Sequence, residues 1–362
     1  MSDKIKVGIT HGDFNGIGYE VILKVCDDNR ICELCTPVIY GSAKIASGYR
    51  KTLELQGPAP VQVKSAADAA DGQVSIVNII GEDAKVEPGH PSPEAGKAAF
   101  EALERAVSDL RAGIIDVLVT APINKATIHS EFFTFPGHTE YLETSLGDGN
   151  KALMILFNDR LRVALATVHL PVTKIAESIT TESIVEKVRI FNESLIKDFG
   201  IVKPRIAVLG LNPHSGDEGL IGTEEKEIII PAIEQCRAEK IHAFGPYPAD
   251  GFFGSGNYSK FDGVLAMYHD QGLAPFKTIA GTSGVNFTAG LPAVRTSPDH
   301  GTGFDIAGKG LADPDSMREA IYAAIDIYRN RRNHSERTAN PLRRQYFDKS
   351  KDNVVLDLTK DK

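Results

Sequence analysis

His169, His214 and His269 each follow a short, largely apolar run of the sequence. Runs of this kind predict buried strands, so each imidazole is expected at or just past the carboxyl end of a strand. That edge is where open α/β sheets bind their ligands. Neutral imidazole is the commonest protein metal ligand, and three from separate strands could form an open metal site. The alternative, three separately hydrogen-bonded structural histidines, stays open at this point.

A second candidate is the segment 136–140, Pro-Gly-His-Thr-Glu. The glycine before His138 and Thr139 would let backbone N–H groups approach an anion. The segment could equally be a helix N-terminus capped by Thr139. The two interpretations are compatible, because an anion at a helix N-terminus is stabilised by the helix dipole.

Lys277, Asn286 and Arg295 lie close together in the sequence and could bind an anion. Arginine binds carboxylate or phosphate through two parallel hydrogen bonds, and lysine adds a point charge. The alternative is that all three are solvated surface groups. Arg295 weakens that alternative, because it ends the apolar run 291–295.

Two glycine-rich stretches could contact a cofactor. Residues 299–309 place glycine-rich turns on both sides of a short apolar stretch, which could wrap an adenine ribose, although an ordinary surface turn is as good an interpretation. Residues 12–18 have neither the G-x-G-x-x-G spacing nor the G-K-[ST] of a phosphate-binding loop. A standard Rossmann site is therefore not supported.

The segments that must position these residues alternate between strand and helix patterns. Strands are predicted near 4–10, 36–41, 74–80, 115–120, 152–157, 162–168, 205–211, 263–268 and 284–289. Helices are predicted near 17–26, 42–56, 92–110, 181–198, 223–239 and 313–330. Residues 212–216 and 269–272 are expected to be turn-prone loops. This alternation predicts an α/β fold with mainly parallel sheets and helices on both faces.

Length and composition exclude several classes. At 362 residues the chain exceeds the usual range of one domain. The net charge of −8 argues against a nucleic-acid-binding protein. Cys32 and Cys35 form a C-x-x-C without a second pair, so buried thiols are expected. The N-terminal residues lack a signal-peptide layout, and no apolar stretch could span a membrane. We therefore expect a cytoplasmic protein.

Five motifs together resemble the 4-hydroxythreonine-4-phosphate dehydrogenase family, over the range from Lys4 to about Tyr328. They are Phe135-Pro-Gly-His-Thr-Glu140, Ala164-Leu-Ala-Thr-Val-His-Leu-Pro171, Gly210-Leu-Asn-Pro-His-Ser-Gly216, Ala266-Met-Tyr-His-Asp-Gln-Gly272 and Arg295-Thr-Ser-Pro-Asp-His-Gly-Thr302. This family comprises NAD-dependent enzymes of pyridoxal 5′-phosphate biosynthesis, similar to isocitrate and isopropylmalate dehydrogenases.

The resemblance implies two α/β/α domains with a cleft between them. The first, on the cofactor side, would comprise residues 1–130 plus 270–345. The second, on the metal, substrate and dimer side, would comprise 131–269, and 346–362 would be a polar tail. It also implies a homodimer with the active site at the interface, and no nucleic-acid or membrane partner.

The resemblance also implies roles for individual residues. The divalent metal ligands (for Zn, Mg or Co) would be His169, His214 and His269, with His269 completing the site of the neighbouring subunit. The substrate would contact His138, Thr139, Lys277, Asn286 and Arg295, and Lys277 or Asp250 would accept the proton. NAD would contact Gly12, Gly16, Asp299, His300, Gly301, Thr302 and Asp305.

The implied reaction is oxidation of 4-phosphooxy-L-threonine at C3 by NAD⁺, followed by loss of CO₂ to give 3-amino-2-oxopropyl phosphate. The nearest alternative is a dehydrogenase of 4-phospho-D-threonate or 4-phospho-D-erythronate. From other classes, the alternatives are a non-catalytic metal- or phosphate-binding protein and, less favoured, a phosphate acyltransferase. The chain also differs from the family in its first loop, where His11, Phe14 and Tyr19 stand in place of prolines.

Overall fold

Twelve strands form one sheet in the computed structural model, which describes residues 4–81, 83–129 and 133–341. In chain order they are β1 (Lys6–Thr10), β2 (Thr36–Gly41), β3 (Val61–Val63), β4 (Ser75–Asn78), β5 (Val117–Thr120), β6 (Leu153–Phe157), β7 (Arg162–Leu165), β8 (Arg205–Leu209), β9 (His242–Tyr247), β10 (Gly263–Ala266), β11 (Val285–Ala289) and β12 (Arg295–Pro298).

The sheet has two parallel parts joined through antiparallel strands at its centre. The strand order is β3-β4-β2-β1-β5-β12-β11-β6-β7-β10-β8-β9. Strands β3 to β12 in this order are parallel to one another, as are β7, β10, β8 and β9. β11 is antiparallel to β12 and β6, and β6 is antiparallel to β7. The two parallel parts therefore run in opposite directions.

The helices cover both faces of the sheet. They are α1 (Gly18–Asp27), α2 (Ile31–Leu34), α3 (Ala43–Thr52), α4 (Pro93–Arg111), α5 (Lys125–Ile128), α6 (His138–Leu146), α7 (Ile175–Ser178), α8 (Thr181–Lys197), α9 (Ile230–Ala238), α10 (Ala249–Gly254), α11 (His269–Ala280) and α12 (Asp315–Ala339). Strands such as β2 and β5 are buried along their whole length, as expected for parallel strands with helices on both sides. The predicted α/β class with a largely parallel sheet is confirmed.

The start of α4 illustrates how local sequence sets an element. Ser92 has an extended backbone, and its hydroxyl accepts a hydrogen bond from the N–H of Ala95 at 3.2 Å. Pro93 follows at the first helical position, where its missing N–H costs nothing. Small apolar residues then recur on one side of the helix, and these are buried against β1, β2 and β5. The predicted helix start at Ser92 is confirmed.

Several element predictions were wrong. Residues 269–272 begin α11 rather than forming a loop. The helix predicted to end near residue 330 continues to Ala339. β3, β9 and β12 were missed, because they are short or contain proline and glycine. The predicted polar tail, 346–362, lies outside the described residues.

The cysteines and the membrane-span expectation can also be compared with the structure. Each of the four cysteines is a buried free thiol, as expected. Over the described ranges, no helix is both long and apolar enough to cross a membrane. All twelve strands belong to one sheet, which marks no division between domains. The domain boundaries near residues 130 and 270 therefore stay predictions.

Candidate active site

A cleft lies at the centre of one face of the sheet. On this face, α4 packs against β1, β2 and β5, and α11 packs against β6, β7 and β10. The strands between them form the floor of a cavity of about 300 Å³. Because side chains alternate along a strand, Arg295 and Ser297 of β12 enter the cavity. Thr296 points the other way and donates to the carbonyl of Ala320 in α12 at 2.7 Å.

Arg295 places a buried positive charge in this cleft. Its side chain is almost fully buried, with 3% of the residue exposed. The guanidinium donates to the hydroxyls of Thr120 (2.6 Å) and Thr288 (3.1 Å), and no carboxylate within the described ranges forms an ion pair with it. Burial lowers the pKa of Arg295 to about 9. The carboxylate of Glu140, which lines the same cavity, raises this pKa and so offsets burial only in part. A buried cation without a carboxylate in ion-pair contact is costly, so this arrangement favours an anionic ligand.

Three buried polar atoms in the cleft lack a hydrogen-bond partner. They are Nε2 of His138, Oδ1 of Asn286 and Nε2 of His300. Buried polar atoms are normally hydrogen-bonded, and an unpaired one needs an explanation such as a missing ligand or water. All three residues line the same cavity as Arg295. The cleft therefore has both a charge and hydrogen-bonding groups available for a polar ligand.

His138 is neutral at physiological pH in this environment. Burial, and then the nearby positive charges of Arg295 and Lys125, hold the pKa of His138 well below 6.5. A neutral imidazole can either donate or accept a hydrogen bond at Nε2, depending on its tautomer. His138 is the first residue of α6, whose N-cap is Gly137 without a side-chain cap. The segment is thus a helix N-terminus, as one of the two interpretations held, but Thr139 is not its cap and lines the cleft.

Lys277 approaches the cleft from α11. Its Nζ donates to the carbonyl of Asp299 at 2.8 Å, and its side chain is exposed. Asp299, His300 and Gly301 line the same cavity, so part of the predicted cofactor loop meets the predicted substrate contacts here. Of the two candidate proton acceptors, Lys277 and Asp250, only Lys277 lines this cavity.

His169 and His269 meet at the mouth of the cleft. Their ring centroids are 6.1 Å apart, and both side chains are more than 40% exposed. His269 Nδ1 lies 2.6 Å from Oδ1 of Asp270, which would fix Nε2 as the free ligand atom. β7 and β10, which precede the two histidines, are parallel neighbours. The pair therefore fits two donors of an open metal site.

His214 lies apart from this pair. It follows β8, the strand on the far side of β10 from β7, and neighbouring strands are about 4.8 Å apart. It does not line the cleft. Among residues that the structure describes, no three His, Cys, Asp or Glu side chains are grouped closely enough to hold a metal. One chain alone thus presents two of the three predicted ligands together.

Other predicted site residues also lie outside the cavity lining. Asp250 is exposed in the first turn of α10. Gly12 and Gly16 have packing reasons for being glycine: Gly12 has φ +68°, and a Cβ on Gly16 would lie 2.7 Å from the carbonyl oxygen of Thr302. That carbonyl accepts the N–H of Ile17 at 2.9 Å, which holds the 299–309 loop against the turn after β1. Asp305 is exposed on the same loop.

Four polar residues of the cleft were not predicted from the sequence: Thr120, Lys125, Glu140 and Ser297. Lys125 Nζ is 3.4 Å from Nε2 of His169, and Glu140 Oε1 is 3.9 Å from its Nδ1. The neighbouring imidazole of His169 lowers the pKa of Glu140, so its carboxylate stays ionised. Thr120 ends β5, and the strand-end argument used for the histidines could have found it.

Comparisons with known proteins agree on one family. A family model described as pyridoxal phosphate biosynthetic protein PdxA matches residues 33–324. The 4-hydroxythreonine-4-phosphate dehydrogenase of Bacteroides thetaiotaomicron is 59% identical over 356 residues, 98% of each chain. The crystal structure of the 4-hydroxythreonine-4-phosphate dehydrogenase from Klebsiella pneumoniae matches with a TM-score of 0.78 and 32% identity, covering 90% of this chain and 98% of that chain.

A further relative has a different name. A protein of Oceanobacillus iheyensis named "Putative D-threonate 4-phosphate dehydrogenase" is 39% identical over 332 residues, 90% of this chain and 99% of its own.

Proposed function

This chain belongs to the family of pyridoxal phosphate biosynthetic proteins PdxA, and on that premise we propose that it oxidises 4-phosphooxy-L-threonine at C3. NAD⁺ is the oxidant, and the resulting 3-oxo acid loses CO₂ to give 3-amino-2-oxopropyl phosphate. The chain is thus an oxidoreductase of pyridoxal 5′-phosphate biosynthesis.

The buried guanidinium of Arg295 carries this proposal. Among the described residues no carboxylate forms an ion pair with it, and three unpaired polar atoms lie in the same cleft. A phosphate or carboxylate oxygen would neutralise Arg295 and accept from it in the bidentate geometry that arginine favours. His138, Thr139, Asn286 and Lys277 are the further groups that would hold the substrate. A neutral ligand would leave the cation unpaired.

Two groups that the family implies would bind at the edges of this cleft. His169, His214 and His269 would hold one divalent cation (Zn, Mg or Co), and the NAD would contact Gly12, Gly16 and the loop from Asp299 through Asp305. When bound, the cation would lower the pKa of the substrate hydroxyl, and NAD⁺ would accept the hydride. His169 and His269 fit this role because their exposed rings lie 6.1 Å apart at the mouth of the same cleft.

The residues of the chain would handle the charges and the proton. Lys277, in its neutral amine form, would take the proton of the C3 hydroxyl as the C3 hydride leaves, and Asp250 is the alternative acceptor if a second subunit brings it closer. The bond from C2 to the carboxylate then breaks, and its electron pair moves toward the C3 ketone. Protonation at C2 completes the product.

A homodimer would complete the metal site. One chain brings His169 and His269 together but leaves His214 apart. Four exposed apolar side chains lie within seven residues of these ligands: Leu170 (43%), Val172 (81%), Leu220 (85%) and Ile221 (43%). Large apolar side chains exposed beside ligand residues favour burial by a protein partner. A second copy of the chain would bury them and supply the third imidazole. The family resemblance assigns His269 to the neighbouring subunit, whereas one chain leaves His214 apart, so the histidine that crosses the interface stays a prediction.

Oxidation of 4-phospho-D-threonate or 4-phospho-D-erythronate is the second candidate function. The 39% identical relative named for D-threonate 4-phosphate favours it. These substrates would use the same phosphate and carboxylate contacts, because they differ in a hydroxyl where the first has an amino group.

A substrate panel tests the proposal. Full-length protein with NAD⁺ and a divalent cation is given each of the three phosphorylated acids, and NADH absorbance is followed. We expect kcat/KM for 4-phosphooxy-L-threonine to exceed the other values by at least about tenfold, because a site that pairs a polar group discriminates against its replacement. A preference for either sugar acid would establish the second candidate. No NADH from any of them would indicate a non-catalytic binding protein.

A further inference from the structure

The candidate metal ligand His214 lies in a turn with a left-handed backbone. Residues 214–219 all have positive φ, between 41° and 96°. Four of these six residues are not glycine. For an L-amino acid this region costs free energy at every residue. A turn of this kind persists only where surrounding groups fix it, and such strain is concentrated at functional sites.

The carboxylate of Glu225 holds the start of this turn. Its Oε1 accepts the backbone N–H groups of Leu211 and Asn212 at 2.7 Å each, and its Oε2 accepts Nδ2 of Asn212 at 3.0 Å. Glu225 is only 2% exposed. It opens the π-helical turn Glu225–Ile229 that leads into α9. π-Helical turns occur frequently at functional sites.

Two glycines make room for this carboxylate inside the turn. A Cβ on Gly216 would lie 2.6 Å from Glu225 Oε2, and a Cβ on Gly210 would lie 3.1 Å from Oε1. The carboxylate therefore lies against the backbone on both sides of His214 in the sequence, at Gly210 and at Gly216. Larger residues at either glycine would displace it.

Gln271 links the same turn to the strand that precedes His269. Its Nε2 donates to the carbonyl of Gly210 at 2.6 Å, and its Oε1 accepts the N–H of Met267 at 2.7 Å. The ends of β8 and β10 are thereby held in register by one side-chain amide. Glu225 and Gln271 together hold the backbone on both sides of Gly210.

We infer that Glu225 is a positioning residue for the metal site, which sets the place of His214 before a cation binds. The inference rests on the proposed function, because it assumes that His214 is a ligand. Glu225 is separated from the imidazole by the turn, so it acts through the backbone. Pre-organisation of a ligand lowers the cost of binding a metal, and loss of such support weakens affinity by about 10- to 100-fold.

Calorimetric titration of Co²⁺ into full-length protein tests this role. Glu225→Ala removes both acceptors, and we expect its Co²⁺ affinity to fall by at least about tenfold. Glu225→Gln keeps an oxygen acceptor for the two backbone N–H groups and should restore affinity close to that of the unmodified chain. Glu227→Ala, an exposed acid in the same π-helical turn, is the matched control and should bind normally.

Hydrogen exchange provides a readout that does not depend on the metal. In Glu225→Ala without Co²⁺, amides of residues 210–219 should exchange faster, whereas those of β1 and β5 should not change. If Glu225→Ala does not fold, Glu225→Asp, whose shorter side chain cannot reach both N–H groups, gives the same comparison.

The results separate the two claims. Co²⁺ binding by Glu225→Ala equal to that of the unmodified chain would overturn the positioning role. Co²⁺ binding by His214→Ala equal to that of the unmodified chain would instead overturn the metal role of His214 and with it this part of the proposed function.

Discussion

At the scale of single residues, the cleft is defined by groups whose requirements the protein itself does not meet. Arg295 is a buried cation held by threonine hydroxyls, and His138, Asn286 and His300 each keep an unpaired buried atom. Such groups destabilise the empty protein and favour a ligand that satisfies them. This opposition between stability and function gives the first prediction.

Arg295→Met should affect stability and activity in opposite directions. Removing a buried charge without a counter-ion leaves the free energy of unfolding unchanged or higher by about 1–3 kcal/mol. The same change should lower kcat/KM for 4-phosphooxy-L-threonine by at least about 100-fold, because a charge-assisted bidentate contact is lost. Urea unfolding and steady-state kinetics measure the two effects.

The control for Arg295→Met is inorganic phosphate. Phosphate should raise the Tm of the unmodified protein and leave that of Arg295→Met unchanged, because only the former binds it. An equal rise in both would mean that the anion binds elsewhere.

His11 is a second residue whose burial has a measurable consequence. Its ring stacks on that of Tyr19 at 5.3 Å, and burial lowers its pKa from 6.5 to about 4. Between pH 6.5 and pH 4, His11 is protonated in the unfolded chain but neutral in the folded chain. Stability contributed by neutral His11 is therefore complete above pH 6.5 and is lost as the pH falls toward 4, by on the order of 3 kcal/mol.

Substitution of His11 tests this pH dependence. His11→Leu should flatten the decrease in unfolding free energy between pH 6.5 and 4, as measured by urea denaturation at several pH values. His242→Gln changes an exposed histidine and should leave the slope as it is. An unchanged slope in His11→Leu would show that other groups cause the acid sensitivity.

At the scale of elements, the cleft depends on how closely α11 approaches the sheet. A Cβ on Gly272 would lie 2.8 Å from Val163 and 2.9 Å from both Ala266 and Leu165. The glycine thus lets α11 lie directly on β7 and β10. Because Lys277 is carried by this helix, the position of α11 also sets the position of the lysine.

Gly272→Ala should therefore be destabilising, by about 1–3 kcal/mol, since the added methyl group overpacks this contact. The KM for 4-phosphooxy-L-threonine should rise as α11 shifts Lys277. Gly48→Ala, in the exposed side of α3 with nothing within 4 Å of its Cβ, should stabilise by about 0.5–1 kcal/mol. Urea unfolding distinguishes the two, and a stabilised Gly272→Ala would contradict the close packing.

The elements also show what the sequence could and could not predict. Apolar runs such as that of β5 predicted the buried parallel strands, and Ser92-Pro93 predicted the start of α4. Strand direction could not be predicted, because an apolar run is the same read either way. The antiparallel β11 and β6 at the centre of the sheet, which put Asn286 on the floor of the cleft, therefore emerged only from the structure. The left-handed turn at His214 was likewise unpredictable, since four of its residues are ones that usually avoid such φ values.

For the molecule as a whole, the proposed metal site needs ligands from two chains. Within one chain, His169 and His269 share the mouth of the cleft and His214 does not line it. A site with ligands from both subunits makes a specific prediction for mixed dimers.

Inactive His214→Ala and His269→Ala chains should complement each other. If these two ligands of a site come from different subunits, a mixed dimer retains one intact site, and a re-equilibrated equimolar mixture should recover about one quarter of the wild-type activity. Subunit mixing followed by an NADH assay measures this recovery. If both ligands came from one chain, every site would carry a substitution and the mixture would stay inactive.

The most direct test of the central claim is the stoichiometry of products from 4-phosphooxy-L-threonine. Full-length protein is incubated with limiting substrate, NAD⁺ and a divalent cation, and NADH and CO₂ are quantified together, with His214→Ala alongside. We expect equal amounts of NADH and CO₂ from the unmodified protein and almost none of either from His214→Ala. NADH without CO₂, or full turnover by His214→Ala, would contradict it.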